Sequence, residues 1–162
     1  MDGLWTCYNT STKKAYVGHC HWDGDESKME ITVPDTYEDY KITSLGGVTS
    51  SKPLVFGPEY PRELNGKVSG CSYFELPEEA NSENTVELTV TVHIGKYIEN
   101  LYDRQWRYVE YTSEEDYNDR IFYVFNYYYI CSEENKTFYS KDGVLYLKSN
   151  DEKAKFVVGG DQ

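Results

Sequence analysis

Two segments of the chain repeat one short pattern, and this repetition constrains the fold more than any other feature of the sequence. Residues 31–33 read Ile-Thr-Val and are followed, after a turn, by Ile-Thr-Ser-Leu at 42–45. Residues 90–92 read Val-Thr-Val and are followed by Ile-Glu-Asn-Leu at 98–101. A unit of this size cannot bury its own apolar side chains and becomes stable by stacking on a neighbouring unit. The repetition therefore predicts a repeat architecture.

Residues 87–94 give the clearest strand signal, because polar and apolar side chains alternate over this segment. A period of two places its four apolar side chains on one face of a half-buried strand. The sequence has no long helical periodicity, so its 162 residues are expected to form one mainly β domain. Further strands are predicted over 4–8, 15–22, 29–33, 40–45, 121–131, 138–139, 144–146 and 155–158, with hairpin turns at 9–13 and at Asp142-Gly143.

Two segments depart from this strand pattern. Residues 50–70 contain three prolines and three glycines, which favour an irregular excursion over a helix or a central strand. Residues 113–118 combine Ser113 with acidic side chains in the first turn, a composition typical of a capped helical turn. We therefore expect an irregular crossing at 50–70 and one short helical turn at 113–118.

The charge of the chain excludes two classes of partner. Its 28 acidic and 16 basic residues give a formal net charge of −12, whereas nucleic acids and anionic membranes require a basic surface. No run approaches the roughly 20 apolar residues of a membrane span. Residues 1–5 also lack the basic and then apolar character of a signal peptide. We expect no nucleic-acid partner and no membrane insertion.

The four cysteines are scattered without the CxxC spacing of zinc ribbons or thioredoxin-like sites, and we expect mostly free, buried thiols. Their even number permits two disulfides, which is the alternative. The densest set of metal-ligand types is His19-Cys20-His21. On a strand the two imidazoles project to one face and the thiol to the other, and Cys7 falls opposite Tyr16 or Val17. We therefore expect no metal site and no cofactor, with a transition-metal site on this strand as the weaker alternative.

Acidic side chains are numerous enough to suggest the paired carboxylates of a glycosidase. The sequence has no nucleophile elbow, phosphate-binding loop or HExxH motif that would support catalysis. We expect a protein that is not an enzyme, with a glycoside-active enzyme as the weaker alternative. The carboxylates considered for it are those of Glu75, Glu78, Glu79, Glu110, Glu114, Glu115 and Asp116.

Three segments carry a resemblance to a known family. Residues 31–46 place Ile-Thr-Val-Pro before Tyr-Lys-Ile-Thr-Ser-Leu-Gly, and residues 68–72 read Val-Ser-Gly-Cys-Ser. Residues 135–146 read Asn-Lys-Thr-Phe-Tyr-Ser-Lys-Asp-Gly-Val-Leu-Tyr. These segments resemble the opening repeat, the crossing and the recurrent hairpin of the BspA-type leucine-rich repeat proteins, which are found on bacterial and protist surfaces.

The resemblance implies a short, irregular leucine-rich-repeat-like solenoid over 1–162. Residues 1–28 would form an N-terminal hairpin cap, and residues 29–162 would form degenerate repeats. Because the two clear copies are nearly three repeat periods apart, the repeats between them, within 48–87, would be degenerate. The resemblance also makes Cys71 a buried ladder residue and implies an extracellular or cell-surface location.

Strand parity selects the side chains that are available for binding. On the strand predicted at 121–131, we expect Tyr127, Tyr129 and Cys131 to point inward, which leaves the alternate side chains pointing outward. The same reasoning applies to the strand at 87–94. Outward aromatic rings with polar neighbours stack on sugars or anchor protein partners. The predicted ligand-binding residues are Thr32, Thr91, His93, Tyr108, Glu110, Tyr128 and Ile130.

The function that these observations favour is non-catalytic recognition or adhesion, with a protein or a glycan as the ligand. A structural module of a larger or oligomeric surface assembly is the alternative. The sequence leaves the oligomeric state and the identity of the ligand open.

Overall fold

The fold is mainly β, as predicted, over the residues that the computed structural model describes: 2–49, 52–61, 63–64, 66–102, 104–116 and 118–155. Helical structure within these ranges consists of one 3₁₀ turn, Glu26–Lys28, which begins where the Asp25 side chain accepts a hydrogen bond from the Ser27 amide. The strands are β1 (Asp2–Asn9), β2 (Lys14–His21), β3 (Glu30–Thr32), β4 (Thr36–Tyr37), β5 (Tyr40–Leu45), β6 (Gly47–Thr49), β7 (Lys52–Leu54), β8 (Gly57–Glu59), β9 (Glu63–Leu64), β10 (Lys67–Ser72), β11 (Thr85–Ile94), β12 (Asn100–Leu101), β13 (Tyr108–Ser113), β14 (Arg120–Cys131), β15 (Phe138–Lys141) and β16 (Val144–Leu147).

Two six-stranded sheets enclose the core. The first sheet has the order β1-β2-β5-β12, with β4 beside β5 and β8 beside β2. The second sheet has the order β3-β11-β14-β13-β10-β9. Apolar side chains of both sheets form one buried cluster, to which Val17 and Leu45 contribute from the first sheet and Val92 and Val109 from the second. Burial of this apolar surface is the main force that holds the sheets together.

The two copies of the sequence pattern lie side by side in both sheets. In the second sheet β3 runs parallel to β11, and Ile31 is opposite Val92. In the first sheet β5 runs parallel to β12, and Leu45 is opposite Leu101. The second pairing follows the sequence alignment of the copies, whereas the first is shifted by two residues, since the alignment sets Ile31 against Val90. A shift of two keeps every side chain on its original face, so the core tolerates it.

The segment between the copies leaves these parallel ladders instead of filling the space between them. Strands β6 and β7 form a separate hairpin, β8 pairs with β2, and β9 and β10 extend the second sheet beyond β13. The expectation of an irregular segment at 50–70 is therefore wrong for the described residues that belong to these short strands. Pro53 and Pro58 fit them because each lies in a strand that pairs on one side, where a missing amide donor costs little.

The two predicted hairpins are confirmed. Between β1 and β2, the Asn9 side chain accepts hydrogen bonds from the amides of Ser11 and Thr12, which closes the turn. Between β15 and β16, Asp142 and Gly143 have φ angles of 52° and 81°. Positive φ at both central residues defines the two-residue turn whose twist matches that of a hairpin. The first hairpin forms the edge of the first sheet, where β2 pairs in parallel with β5.

The helical turn predicted at 113–118 is wrong. Ser113 ends strand β13, and the described residues that follow it form bends and a turn leading into β14. The Asp116 carboxylate accepts a hydrogen bond from the Asn118 amide, and the Asp119 amide donates to the Asp116 carbonyl. Ser113 and its acidic neighbours thus belong to the connection between β13 and β14, because turns and helix starts favour the same residue types. The strand predicted at 155–158 lies outside the described residues beyond Lys155.

A buried asparagine fixes the corner that follows β14. The Asn135 side chain is fully buried and donates from Nδ2 to the carbonyls of Gly95 (2.8 Å) and Ile98 (2.9 Å). Its Oδ1 accepts from the amides of Thr137 (2.8 Å) and Phe138 (2.7 Å). One side chain therefore satisfies main-chain groups at two turns of the chain, which would be costly to bury unpaired.

Replacement of Asn135 by alanine is expected to lower the free energy of unfolding by about 3 kcal/mol, because it leaves two carbonyls and two amides without their partner. Urea unfolding followed by tryptophan fluorescence measures the effect. The matched control is Asn126→Ala at an exposed strand position, which should change stability by less than about 0.5 kcal/mol. Equal losses in the two variants would contradict the role assigned to Asn135.

Candidate functional site

The outward face of β3, β11 and β14 carries five of the seven residues predicted to bind a ligand. Parallel pairing sets the strands in register, so side chains of the three strands form rows across the sheet. Glu30, which the sequence analysis did not select, belongs to one of these rows. The two rows, which together are called the open face, are Thr32-His93-Ile130 and Glu30-Thr91-Tyr128.

The predicted parity of β14 is confirmed. Tyr129 is buried, and the Tyr127 hydroxyl donates to the Trp106 carbonyl at 2.5 Å on the core side. Tyr128 and Ile130, one position removed, are 44% and 42% exposed. Two large side chains thus remain in solvent because alternate positions of one strand fill the core.

The β15–β16 hairpin supports Tyr128 from one side. The Tyr129 amide donates to the Gly143 carbonyl at 2.8 Å, which holds the hairpin turn against β14. A Cβ atom on Gly143 would lie 2.3 Å from a carbon of the Tyr128 ring. The ring therefore rests on a turn where a side chain does not fit, and its position is fixed by contact with the main chain.

The polar part of the open face is centred on His93. Its Nε2 atom lies 3.5 Å from a carboxylate oxygen of Glu30 on the neighbouring strand. The hydroxyls of Thr32 and Thr91 flank this pair in the two rows. The open face thus presents hydroxyl, imidazole and carboxylate groups beside two exposed apolar side chains. Such an arrangement can hydrogen-bond and pack against a ligand.

Tyr108 and Glu110 share the same sheet face but lie apart from the open face. They are opposite Val124 and Phe122 in the antiparallel pairing of β13 with β14. Val124 is four positions before Tyr128, a separation of about 13 Å along a strand. The structure therefore brings five predicted residues together and leaves these two at the other end of β14.

Residues 73–84 separate the two regions. They connect β10 to β11, and β13 and β14 lie between those strands in the sheet, so the connection crosses the outward face. Leu76 and Ala80 border the same depression as Thr85 and Glu87 of β11. Phe122 is fully buried although it points to the outward side, where its ring packs edge-to-face against Tyr108.

Glu110 lines a shallow depression of about 640 Å³ at the start of β14. Its carboxylate lies 3.4 Å from Nε of Arg120 and accepts a hydrogen bond from the Thr112 hydroxyl at 3.2 Å. Of the other carboxylates considered for catalysis, Glu75 pairs with Arg107 at 2.7 Å on the surface.

The side chains of the His19-Cys20-His21 segment separate as predicted, since Cys20 is buried and the two histidines lie on the other face. His19 pairs with Glu59 at 3.0 Å and stacks on the Trp5 ring. Cys7 is opposite Tyr16, one of the two predicted positions. The described residues contain no group of three or more His, Cys, Asp or Glu side chains that could hold a metal ion.

Burial makes the core thiols poor nucleophiles. Desolvation raises the pKa of Cys20 to about 12 and that of Cys131 to about 11, and it also raises the pKa of Cys71. A thiolate is the reactive form, so these thiols are unreactive at neutral pH. Cys71 lies on the core side of β10 and is half-buried, and the cysteines form no disulfide within the described part of the chain.

Two contributors to the open face were missed at the sequence level. Glu30 shares the parity of Thr32, so extension of the same alternation by two residues would have included it. Gly143 was recognised as a turn residue, but its contact with Tyr128 depends on where the hairpin docks, and no local pattern reports that.

Comparison with protein-family models, curated proteins and solved structures yields no match. Among the described residues, no helix has the length and apolar character needed to cross a membrane.

Replacement of Gly143 by alanine is expected to destabilise the protein more than the same change at Gly66. Both glycines have positive φ, 81° and 77°, so each alanine variant carries a backbone cost of about 1 kcal/mol. Only the Gly143 variant also displaces the Tyr128 ring, since a Cβ on Gly66 meets nothing within 4 Å. Urea unfolding should show an additional loss of about 2 kcal/mol for Gly143→Ala. In the Tyr128→Ala background the difference between the two glycine variants should disappear, and its persistence would contradict the contact.

Stability should fall at alkaline pH. The folded-state pKa of Cys20 is above the ordinary thiol value, so its contribution to stability is complete below about pH 9 and is lost as the pH rises toward 12. At pH 10.5 the expected loss from this group is roughly 2 kcal/mol relative to pH 8. Urea unfolding at the two pH values measures it, and Cys20→Ala should show a smaller pH dependence. Identical stability of the unmodified protein at both pH values would contradict the burial of this thiol.

Proposed function

We propose that this chain is a short leucine-rich-repeat-like solenoid that acts as a non-catalytic recognition module, with the open face as its binding surface. The two parallel ladders support the solenoid, because the copies of the sequence pattern are neighbours in both sheets. The single observation that carries the functional proposal is the exposure of Tyr128 and Ile130 on a strand whose alternate side chains are in the core.

The position of Tyr128 suits an anchor residue. Aromatic side chains at the centre of an interface contribute much of the binding energy when they are held in place before the partner arrives. Strand β14 pairs with β11 over ten residues and with β13 at its start, and Gly143 supports the ring. The ring thus loses little conformational freedom on binding, which favours affinity.

The composition of the open face favours a protein ligand over a glycan. Ile130 and Tyr128 offer adjacent apolar surface, which matches the core of a protein interface, and the polar groups around His93 match its rim. A glycan remains the second ligand class, because one exposed ring beside hydroxyl and carboxylate groups also suits a sugar. The cell-surface location implied by the family resemblance belongs to this proposal.

A structural role in an oligomeric assembly is the second candidate, and the observation in its favour is the edge of β3, which no other described strand covers. Sedimentation velocity distinguishes the two candidates. A single monomeric species across the concentration range supports recognition of a separate ligand, whereas concentration-dependent association supports the structural role.

The recognition proposal is tested by isothermal titration of the purified chain against extracellular matrix proteins and polysaccharides. A ligand from either class should bind at least tenfold more weakly to the Tyr128→Ala and Ile130→Ser variants. Phe74→Ala is the matched control, because Phe74 is 65% exposed but lies on the crossing segment, and it should leave affinity unchanged. No heat with any member of either class, or equal loss in Phe74→Ala, would overturn the proposal.

A further inference from the structure

A cleft lies between the two sheets at the end of the molecule where β3 is the last strand. The first sheet continues past β5 through β2 and β1, but the second sheet ends at β3. The resulting gap has a volume of about 390 Å³. Its lining includes Leu4 and Thr6 of β1, Cys20 of β2, Ile31 of β3, Ile42 of β5 and Tyr37 of β4.

The main chain of β3 offers hydrogen-bonding groups to this gap. The Val33 amide donates to the His93 carbonyl, and the Met29 carbonyl accepts from the Thr91 amide, so these residues are directed toward β11. Along a strand, alternate residues direct their N–H and C=O groups to opposite sides. Glu30 and Thr32 therefore direct theirs away from β11, and among the described strands β3 pairs with β11 alone.

The cleft and the edge of β3 together leave room for one additional strand in the second sheet. A strand added beside β3 would hydrogen-bond to Glu30 and Thr32, and its inward side chains would enter the cleft over Leu4 and Thr6. A pocket of this volume is within the range of those that hold ligands. A strand edge is a general site for pairing with other chains, and three residues with one charged side chain restrict which chains can pair.

The charge at this edge favours a basic partner. The Glu30 carboxylate is 64% exposed on the outward side and lies 3.5 Å from the His93 imidazole, whereas the nearby Lys28 ammonium lies 3.8 Å from Asp25. The net charge of −12 opposes pairing with a second copy of the chain. A strand with apolar side chains on one face and Lys or Arg on the other would satisfy both the cleft and Glu30.

We propose that β3 accepts an extended, basic segment of another protein as an additional strand of the second sheet. This site uses the in-plane main-chain groups of β3 and the cleft, whereas the open face uses outward side chains of β3, β11 and β14, so the two sites share the Glu30 side chain. The two proposals are distinguished by experiment, since Tyr128→Ala should weaken ligand binding at the open face and leave the main-chain contact at β3 intact.

The experiment is an NMR titration of the full chain, following the amides of Glu30 and Thr32. The probe is a blocked pentapeptide of alternating lysine and valine. The control probes are the same peptide N-methylated at alternate amides and a peptide with glutamate in place of lysine. Saturable shifts at both amides are expected with the first peptide, with at least tenfold weaker binding of each control peptide.

Two variants at one position test the main-chain contact. Thr32→Pro removes the edge-facing N–H without removing a hydrogen bond to β11, and proline is tolerated on such an edge. It should weaken peptide binding at least tenfold, whereas Thr32→Val keeps the N–H and should bind within twofold of the unmodified chain. If Thr32→Pro does not fold, the N-methylated peptide on the unmodified chain makes the same test.

Several outcomes would overturn the proposal. No shift at the solubility limit of the lysine–valine peptide is one, and equal binding of the N-methylated or the glutamate peptide is another. Loss of peptide binding in Tyr128→Ala would move the site to the open face. Self-association that Thr32→Pro abolishes would identify a second copy as the occupant of the edge.

Discussion

The parallel pairing of β11 with β14 is the interaction on which the rest of the structure depends. It joins ten residues of β11 to residues 122–131 of β14, and each strand has a second neighbour on its other side. Because side chains alternate along a strand, one register sets the faces of both strands at once. Val90, Val92 and Tyr129 enter the core, and the open face follows as the opposite side of the same pairing. A slip of one residue would exchange the two faces.

Turns and corners hold this pairing in place. Asn135 binds the main chain at two separate turns, and the β15–β16 hairpin contacts β14 through the Gly143 carbonyl and the Ser140 hydroxyl, which accepts from the Cys131 amide at 2.9 Å. These contacts lie beside the exposed end of β14. The rigidity of the open face therefore has a local origin, and the same contacts that stabilise the corner keep Tyr128 oriented toward solvent.

Local patterns in the sequence predicted the strands and their faces well. The alternation at 87–94, the strand at 40–45 and the aromatic strand at 121–131 depend on side chains close together in the chain, and the structure has strands at all three. The alternation of inward and outward side chains along these strands predicted five of the six residues of the open face. The hairpin at Asp142-Gly143 was predictable because its turn requires two residues with positive φ.

Which strands pair with each other could not be predicted from the sequence, since pairing depends on segments that are far apart in the chain. The copies at 31–45 and 90–101 are direct neighbours, and the segment between them forms strands elsewhere in the two sheets. Nor does any local signal show that residues 73–84 cross the outward face and separate Glu110 from Tyr128. The prediction of a helical turn at 113–118 was wrong for a physical reason, because the residue types that begin a helix also form the turns that connect strands.

Native-state hydrogen exchange tests the strand order of the second sheet, because it reports which amides the sheet protects. We expect the Val92 amide, on a strand that pairs with β3 on one side and β14 on the other, to exchange only through global unfolding. The Thr32 amide, on the unpaired edge of β3, should exchange orders of magnitude faster. Equal protection at the two positions would contradict the strand order β3-β11-β14 and, with it, both the open face and the free edge.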